Sequence, residues 1–295
     1  MAVTAQLVKE LREKTGAGML DCKKALEATD GNIEEAITWL REKGIAKAAK
    51  KESRVAAEGL CNVAIDGNKA VIYEVNSETD FVSKNTQFLD LINTIGNALL
   101  SSDSDDYLNI VYNGETINNI LISATATIGE KISLRRVTRV TKTDAENFGA
   151  YKHAGGRIAV LTVIDGGSEA VAKDVAMHVA AINPRYLSQN DVPAEEIEKE
   201  KAIQIAEMKN DPKMANKPEN VLENIVKGKL GKFLKEICLL DQPFVKNPDL
   251  TVEQFAKSEK STIKSYIRLE VGEGIEKEVT DFAAEVAAQA AAAKN

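Results

Sequence analysis

The stretch 74–84, EVNSETDFVSK, holds the residue types best suited to contact chemistry in this chain. An apolar run at 70–75 ends there, and Thr79, Asp80, Phe81 and Val82 form a short polar turn before an amphipathic segment. An acid beside a large aromatic at a strand-to-helix turn predicts a side chain directed outward, towards a partner. The alternative is that Phe81 starts a helix and lies in the core, because most phenylalanines are buried. The tripeptide TDF recurs at 280–282, so it carries no weight without its setting.

Residues suited to catalysis or metal binding are scarce. The two histidines, His153 and His178, have no carboxylate or cysteine at metal-ligand spacing, and His178 is expected on the core side of a helix. Glycine pairs beginning at Gly16 and Gly272 resemble a dinucleotide-binding pattern but lack its third glycine, and Gly231 lacks the rest of a phosphate-binding loop. The sequence therefore predicts no cofactor, no metal, no direct nucleotide binding and no chemical active site. No concentration of serines or carboxylates supports a hydrolase.

Composition limits the class of protein. The chain has 295 residues, enough for two or three small cores, and its net charge of -7 argues against a general nucleic-acid coat. Cys22, Cys61 and Cys238 are odd in number and far apart, so neither disulfides nor structural zinc are indicated, and a reducing cytoplasm fits best. Charges throughout the first twenty residues exclude a signal peptide or membrane span there. We expect a cytoplasmic protein without membrane contact.

The first fifty residues predict three short helices at 4–14, 19–29 and 33–43, with Asn32 capping the third. The loop at 15–20 should be exposed, and Met19 in it either offers a flexible apolar contact or closes the core. The segment 45–54 is rich in alanine and lysine and is typical of a linker or a solvated helix. It has no interleaved aromatics, so RNA contact is a weak alternative.

Two similar α+β units are predicted after the bundle. In the first, strands at 60–65 and 69–75 form a hairpin, and a helical pattern spans 88–99. In the second, a strand at 157–164 turns at glycines into a helix at 171–182. Because that second turn has no aromatic, the architecture does not require Phe81, which favours a functional role.

The remaining patterns complete the two units and add an insertion. A helix at 118–127 and a strand at 132–140 finish the first sheet, and a strand at 263–271 belongs to the second. Helices at 193–208 and 222–237 predict an antiparallel hairpin, whose apolar stripe packs either internally or against a second copy in a homodimer. An alanine-rich helix is expected from residue 280. The predicted divisions are a three-helix bundle with linker (1–55), a first unit (56–142), a second unit (143–188 and 238–275), the inserted hairpin (189–237) and a C-terminal helical module (276–295).

The sequence resembles the elongation factor Ts family in two separated patterns. One is the stretch 74–84, with no departure in its core at 79–82. The other consists of Leu11, Arg12, Thr15, Gly16, Gly18, Met19, Lys23, Lys24, Ala25 and Leu26. Their order, together with the basic linker, the paired units and the inserted hairpin, extends the resemblance over nearly the whole chain.

The resemblance implies a cytoplasmic translation factor that binds elongation factor Tu in its GDP state and expels the nucleotide. It implies a bundle similar to a ubiquitin-associated domain, with Arg12, Met19 and Leu20 on its docking surface. Asp80 and Phe81, within the turn at 79–82, would act as a wedge that disturbs the magnesium site of the GTPase. His153, in a turn at 151–156, would touch a distal domain, and the C-terminal helix would add a contact.

Two other functions are compatible with the residues. An adaptor would use the N-terminal bundle for protein recognition without affecting nucleotide. An RNA-binding protein would work through the basic segment 47–54, but the acidic balance of the chain disfavours it.

Overall fold

A computed structural model describes residues 3–210 and 218–276. They form an α+β protein, as the sequence predicts, with helices at the N-terminus followed by two three-stranded antiparallel sheets and two two-stranded ones. The α-helices are α1 (Ala5–Thr15), α2 (Met19–Ala28), α3 (Ile33–Ala49), α4 (Thr86–Leu100), α5 (Ile117–Ile128), α6 (Glu169–Ile182), α7 (Ala194–Asn210), α8 (Glu219–Ile237) and α9 (Val252–Ser258). The strands are β1 (Glu58–Asp66), β2 (Lys69–Ser77), β3 (Val111–Tyr112), β4 (Glu115–Thr116), β5 (Ser133–Thr141), β6 (Glu146–His153), β7 (Ile158–Gly166), β8 (Pro243–Phe244), β9 (Asn247–Thr251) and β10 (Ser261–Glu270).

Helices α1 to α3 form the N-terminal bundle around a small core of Leu11, Cys22, Leu26 and Ala36. The predicted cap is present, since the Asn32 side chain accepts hydrogen bonds from the first backbone N–H groups of α3. The prediction that α3 ends near residue 43 is wrong, because the helix continues through Gly44 to Ala49. Gly44 is instead a point of close approach: a Cβ there would lie 3.2 Å from the Cβ of Ala126 in α5.

The two three-stranded sheets share one strand order. In the first, β2 lies between β1 and β5; in the second, β7 lies between β6 and β10, and all pairings are antiparallel. Helices α4 and α5 cover the first sheet, α6 and α9 cover the second, and a third apolar cluster lies between the sheets. Each unit is thus a hairpin, a helix packed on it, and a later strand that returns to the central one.

Strand β6 has no counterpart in the sequence prediction, because its sequence ENFGAYKH has too few apolar residues for a clear alternation. Its Gly149 packs on the backbone of α6, where a Cβ would lie 2.2 Å from the carbonyl carbon of Ala172. His153 is the last residue of this strand. The predicted turn at 151–156 is therefore shorter, a single 3₁₀ turn at Ala154–Gly156.

The inserted pair α7 and α8 begins and ends at one place on the second unit. The backbone N–H groups of Arg185 and Tyr186 both donate to the carbonyl of Ile237, at 2.9 and 3.1 Å. Met208 and Val226 are buried, and Lys229 pairs with Glu207 at 3.2 Å. No helix among the described residues is both long and apolar enough to cross a membrane. The alanine-rich helix predicted from residue 280 lies outside the described residues.

Candidate functional site

The turn at 79–82 follows β2 and leads through one 3₁₀ turn, Val82–Lys84, into α4. Phe81 is 79% exposed, the most exposed large apolar side chain among the described residues, whereas Val82 is 8% exposed and belongs to the core of the first unit. The backbone of Phe81 is an ordinary right-handed helical one, at φ -62° and ψ -38°. The interpretation of Phe81 as a core residue is therefore wrong, since its side chain projects into solvent from an unstrained backbone.

Thr79 is held by the carboxylate of Glu130, which follows α5. Its backbone N–H donates to Oε2 of Glu130 at 2.9 Å, and its hydroxyl donates to Oε1 at 2.6 Å. The Thr79 carbonyl in turn accepts a hydrogen bond from the Ser77 hydroxyl at 2.9 Å. All the hydrogen-bonding groups of this residue are thus engaged within the chain.

Glu78 makes the reciprocal contact. Its Oε1 accepts the backbone N–H of Lys131 at 2.7 Å, so each of two adjacent segments supplies a carboxylate to the backbone of the other. Arg54 adds an ion pair to Glu78 at 3.2 Å. We call Glu78, Thr79, Glu130 and Lys131 the carboxylate clasp. Sequence reasoning missed Glu78 and Glu130 as parts of the site, because hydrogen bonds between residues about fifty positions apart leave no local sequence pattern.

Asp80 leaves its carboxylate exposed while its backbone is fixed. The Ser83 hydroxyl donates to the Asp80 carbonyl at 2.6 Å, and Lys84 Nζ lies 3.7 Å from Oδ2 of Asp80. Asn85 then caps α4 by accepting the backbone N–H of Gln87 at 2.9 Å. The turn therefore presents one carboxylate and one aromatic ring side by side.

The residues predicted to contact a partner from the bundle are all on its surface. Arg12 is exposed on α1, and Met19 and Leu20, at the start of α2, are 61% and 73% exposed. Met19 does not close the core, so the alternative offered by its residue type is wrong. In the described residues, no hydrogen bond or ion pair joins this surface directly to the turn at 79–82.

The basic segment 45–54, which begins in the last turns of α3, connects these two regions indirectly. Lys47 pairs with Asp21 at 2.8 Å, Lys51 donates to the carbonyl of Gly129, and Arg54 reaches Glu78. The prediction of a linker or solvated helix is confirmed, since α3 continues to Ala49 and no residue of 45–54 is buried, but three of its cations also make contacts within the chain. Because these cations are used within the chain, the segment is also less suited to binding RNA.

His153 lies on the second unit, where its Nδ1 is 3.4 Å from the hydroxyl of Tyr151 and its ring is exposed. Gly156 closes the adjacent turn on β1, since a Cβ there would lie 3.0 Å from the carbonyl oxygen of Cys61. No hydrogen bond links His153 to the turn at 79–82 in the part of the chain that is described. The exposed candidates thus occupy three separate patches: the bundle, the turn and the end of β6.

His178 is structural, as its helical position predicts. It is fully buried, its Nδ1 accepts the backbone N–H of Val245 at 3.3 Å, and its Nε2 therefore donates to Oε1 of Gln242 at 2.9 Å. Burial lowers the pKa of this imidazole. Within residues 3–210 and 218–276, no group of three or more His, Cys, Asp or Glu side chains could hold a metal ion.

Comparison with known proteins identifies the family of the chain. The family described as "Elongation factor TS" matches residues 78–273, which include the turn at 79–82, strand β5 of the first sheet and all of the second sheet. An elongation factor Ts of Acholeplasma laidlawii (strain PG-8A) is 58% identical over 293 residues, covering 98% of this chain and 99% of the relative. An elongation factor Ts of Spiroplasma citri is 54% identical, with the same coverage.

An α+β protein with these relatives is a translation elongation factor. The chain belongs to the elongation factor Ts family. The relatives match the N-terminal bundle as well as the two units, so the family assignment extends over nearly all of the sequence.

Proposed function

We propose that this protein binds elongation factor Tu in its GDP-bound state and promotes GDP release by disturbing the magnesium and phosphate site, so that GTP can bind. Membership of the elongation factor Ts family supports the choice of partner. The single observation that carries the mechanism is the exposure of Phe81 on a turn whose backbone is fixed on both sides.

In this proposal Phe81 enters an apolar pocket of the GTPase, with Asp80 beside it. Thr79 and Val82 hold the turn from within, one through the clasp and the other through the core. Arg12, Met19 and Leu20 contact the nucleotide-binding domain, and His153 contacts a distal domain. The protein acts as an exchange factor without a chemical active site, binding the GTPase both with GDP and without nucleotide, and itself binding no nucleotide.

The physical basis is reciprocal coupling between two binding events. Contacts that form only when the nucleotide site is distorted weaken nucleotide binding by the same factor by which nucleotide weakens the factor's binding. Magnesium is the vulnerable point, because it demands near-ideal octahedral geometry and bridges the phosphates. A small displacement of the supporting helices would therefore loosen the phosphates.

The energetics require more than one contact. Weakening the nucleotide by about a thousandfold takes about 4 kcal/mol. Burying one phenylalanine side chain yields roughly 1.5 to 3 kcal/mol. The two remaining patches, on the bundle and at the end of β6, would supply the difference.

Stopped-flow release of a fluorescent GDP analogue from bacterial elongation factor Tu tests the proposal. Adding this protein at increasing concentration in the presence of magnesium should accelerate release, and the acceleration should saturate. The second candidate is an adaptor that uses the bundle for protein binding, favoured by the exposed Met19 and Leu20. Complex formation by gel filtration without faster release would support the adaptor and refute the exchange mechanism.

A further inference from the structure

We propose that Glu130 is a positioning residue: its carboxylate presets the turn at 79–82, so that Phe81 is presented in its binding conformation before any partner arrives. This inference rests on the proposed function for its consequence in exchange. The preset conformation itself is a property of the free protein.

Glu130 can position another segment because its own loop is fixed. Thr125, in the last turn of α5, is 4% exposed. Its carbonyl accepts the N–H of Gly129 at 3.1 Å, and its hydroxyl accepts the N–H of Ile132 at 3.1 Å. Both ends of the loop at 129–132 are thus tied to one buried residue, and Glu78 holds the N–H of Lys131 between them.

Glu130 grips Thr79 through two atoms of the same carboxylate. A charged acceptor makes each of these hydrogen bonds stronger than a neutral one would. The two bonds fix both the backbone and the side chain of Thr79, at 2.9 and 2.6 Å. Together with the Ser77 contact, they hold this end of the turn at three hydrogen-bonding groups of one residue.

The other end of the turn is fixed by different means. Val82 is buried in the core, its carbonyl accepts the N–H of Asn85 at 2.9 Å, and Ser83 binds the carbonyl of Asp80. Phe81 lies between the two fixed ends and is itself 79% exposed, so little of its side chain is buried. Its direction is therefore set by its neighbours in the turn, and Glu130 holds one of them, Thr79, from the loop between α5 and β5.

A preset turn matters because ordering one backbone residue on binding costs roughly tenfold in an equilibrium constant. Loss of the Glu130 contacts should therefore weaken binding to the GTPase without changing the rate of GDP release from the complex in which Phe81 is bound. We expect Glu130→Ala to raise the half-saturating concentration for GDP release about tenfold, with the maximal release rate within about twofold of the unchanged protein.

Glu130→Gln is the matched rescue. Its amide carbonyl can accept the N–H of Thr79, and its NH₂ group can donate to the Thr79 hydroxyl, so both contacts survive without the charge. The half-saturating concentration of Glu130→Gln for GDP release should stay within about threefold of that of the unchanged protein. Asp66→Ala, which removes an exposed carboxylate from the opposite end of the β1–β2 hairpin, should have no effect.

Two measurements separate positioning from a general structural role. Amide hydrogen exchange of the free protein should show Thr79 at least about tenfold faster in Glu130→Ala, with the buried strand β2 unchanged. In a Phe81→Ala background, Glu130→Ala should slow GDP release by less than about twofold, because it acts through the turn.

Equal protection of the Thr79 amide in both proteins would overturn the inference. So would an undiminished effect of Glu130→Ala in the Phe81→Ala background, which would make Glu130 a direct contact of the GTPase. If the unchanged protein did not accelerate GDP release from the GTPase, the proposed function would be refuted instead. The exchange of the Thr79 amide would still decide whether Glu130 presets the turn.

Discussion

Phe81 and Val82 are adjacent in the chain and opposite in exposure, at 79% and 8%. The 3₁₀ turn that starts at Val82 rotates the two side chains apart, one into solvent and one into the core. Val82 therefore serves folding, and Phe81 is available for contact with a partner. A substitution at Val82 should change stability, and one at Phe81 should change GDP release.

Phe81→Ala should slow GDP release by about ten- to a hundredfold without abolishing it, because one buried phenylalanine is worth roughly 1.5 to 3 kcal/mol. The midpoint of thermal unfolding should not change, since the ring buries little in the free protein. Stopped-flow release measures the first quantity and differential scanning calorimetry the second. Val111→Ala, at another exposed apolar position, is the control. A release rate close to that of the unchanged protein would refute the wedge, and complete loss should require a second change such as His153→Ala.

Val82→Ala should lower the free energy of unfolding by about 1 to 2 kcal/mol. The substitution removes two buried carbon groups at about 0.8 kcal/mol each and leaves a small cavity in the core of the first unit. Urea unfolding followed by circular dichroism measures the change. If stability were unaltered, Val82 would not anchor the turn.

Gly96→Ala should destabilise the first unit by about 1 to 3 kcal/mol, because the added Cβ would lie 2.4 Å from the hydroxyl of buried Tyr73. That hydroxyl accepts from Asn62 at 2.9 Å and donates to the carbonyl of Ile92 at 2.7 Å, and burial raises the pKa of Tyr73 to about 12. Tyr73→Phe gives the control, because it deletes the hydroxyl. In urea unfolding, Gly96→Ala should cost less in the Tyr73→Phe background; equal costs in both backgrounds would show that the crowded hydroxyl is not the cause.

The stability of the second unit should fall as the pH drops below about 6.5, the ordinary pKa of histidine. The pKa of buried His178 is lowered in the folded protein, so below about 6.5 the unfolded chain binds a proton that the folded one does not. The contribution is fully present above that pH and is lost as the pH falls towards the folded pKa, with a slope of at most about 1.4 kcal/mol per pH unit.

Urea unfolding of the unchanged protein and of His178→Gln at pH 7.5 and 5.5 measures this dependence. The unchanged protein should lose more stability than the variant between the two pH values, because the glutamine does not titrate. A parallel loss in both proteins would assign the pH dependence to other groups.

Much of the fold could be predicted from the sequence because its signals are local. The three helices of the bundle, the β1–β2 hairpin and the helical stripe of α4 rest on capping residues, a turn signal and apolar spacing within a few residues. Strand β6 could not be predicted, because its residues do not alternate clearly between apolar and polar. It is a strand because it pairs with β7. The predicted end of α3 near residue 43 was wrong for a similar reason, because the contact of Gly44 with α5 outweighs the low helix propensity of glycine.

The candidate site shows the same division. The exposed acid and aromatic at 79–82 were visible as residue types, but their support was not. Glu130 lies in the loop between α5 and β5, and Arg54 belongs to a segment whose composition indicated a linker or a solvated helix. Their role depends on distances between elements, which no spacing along the chain records.

The shared strand order has a further consequence at the turn of the second unit. There Gly166, the last residue of β7, and Gly167 after it have positive φ. A Cβ on Gly166 would lie 2.5 Å from the carbonyl oxygen of Lys260, and one on Gly167 would lie 2.8 Å from the Cβ of Ser261. In the first unit the segment before the third strand reaches the turn with the Glu130 side chain; in the second it reaches the turn with its backbone. The second turn therefore has no space for a side chain at Gly166 or Gly167. The two units, despite their common strand order, present different surfaces where the central strand leads into the helix.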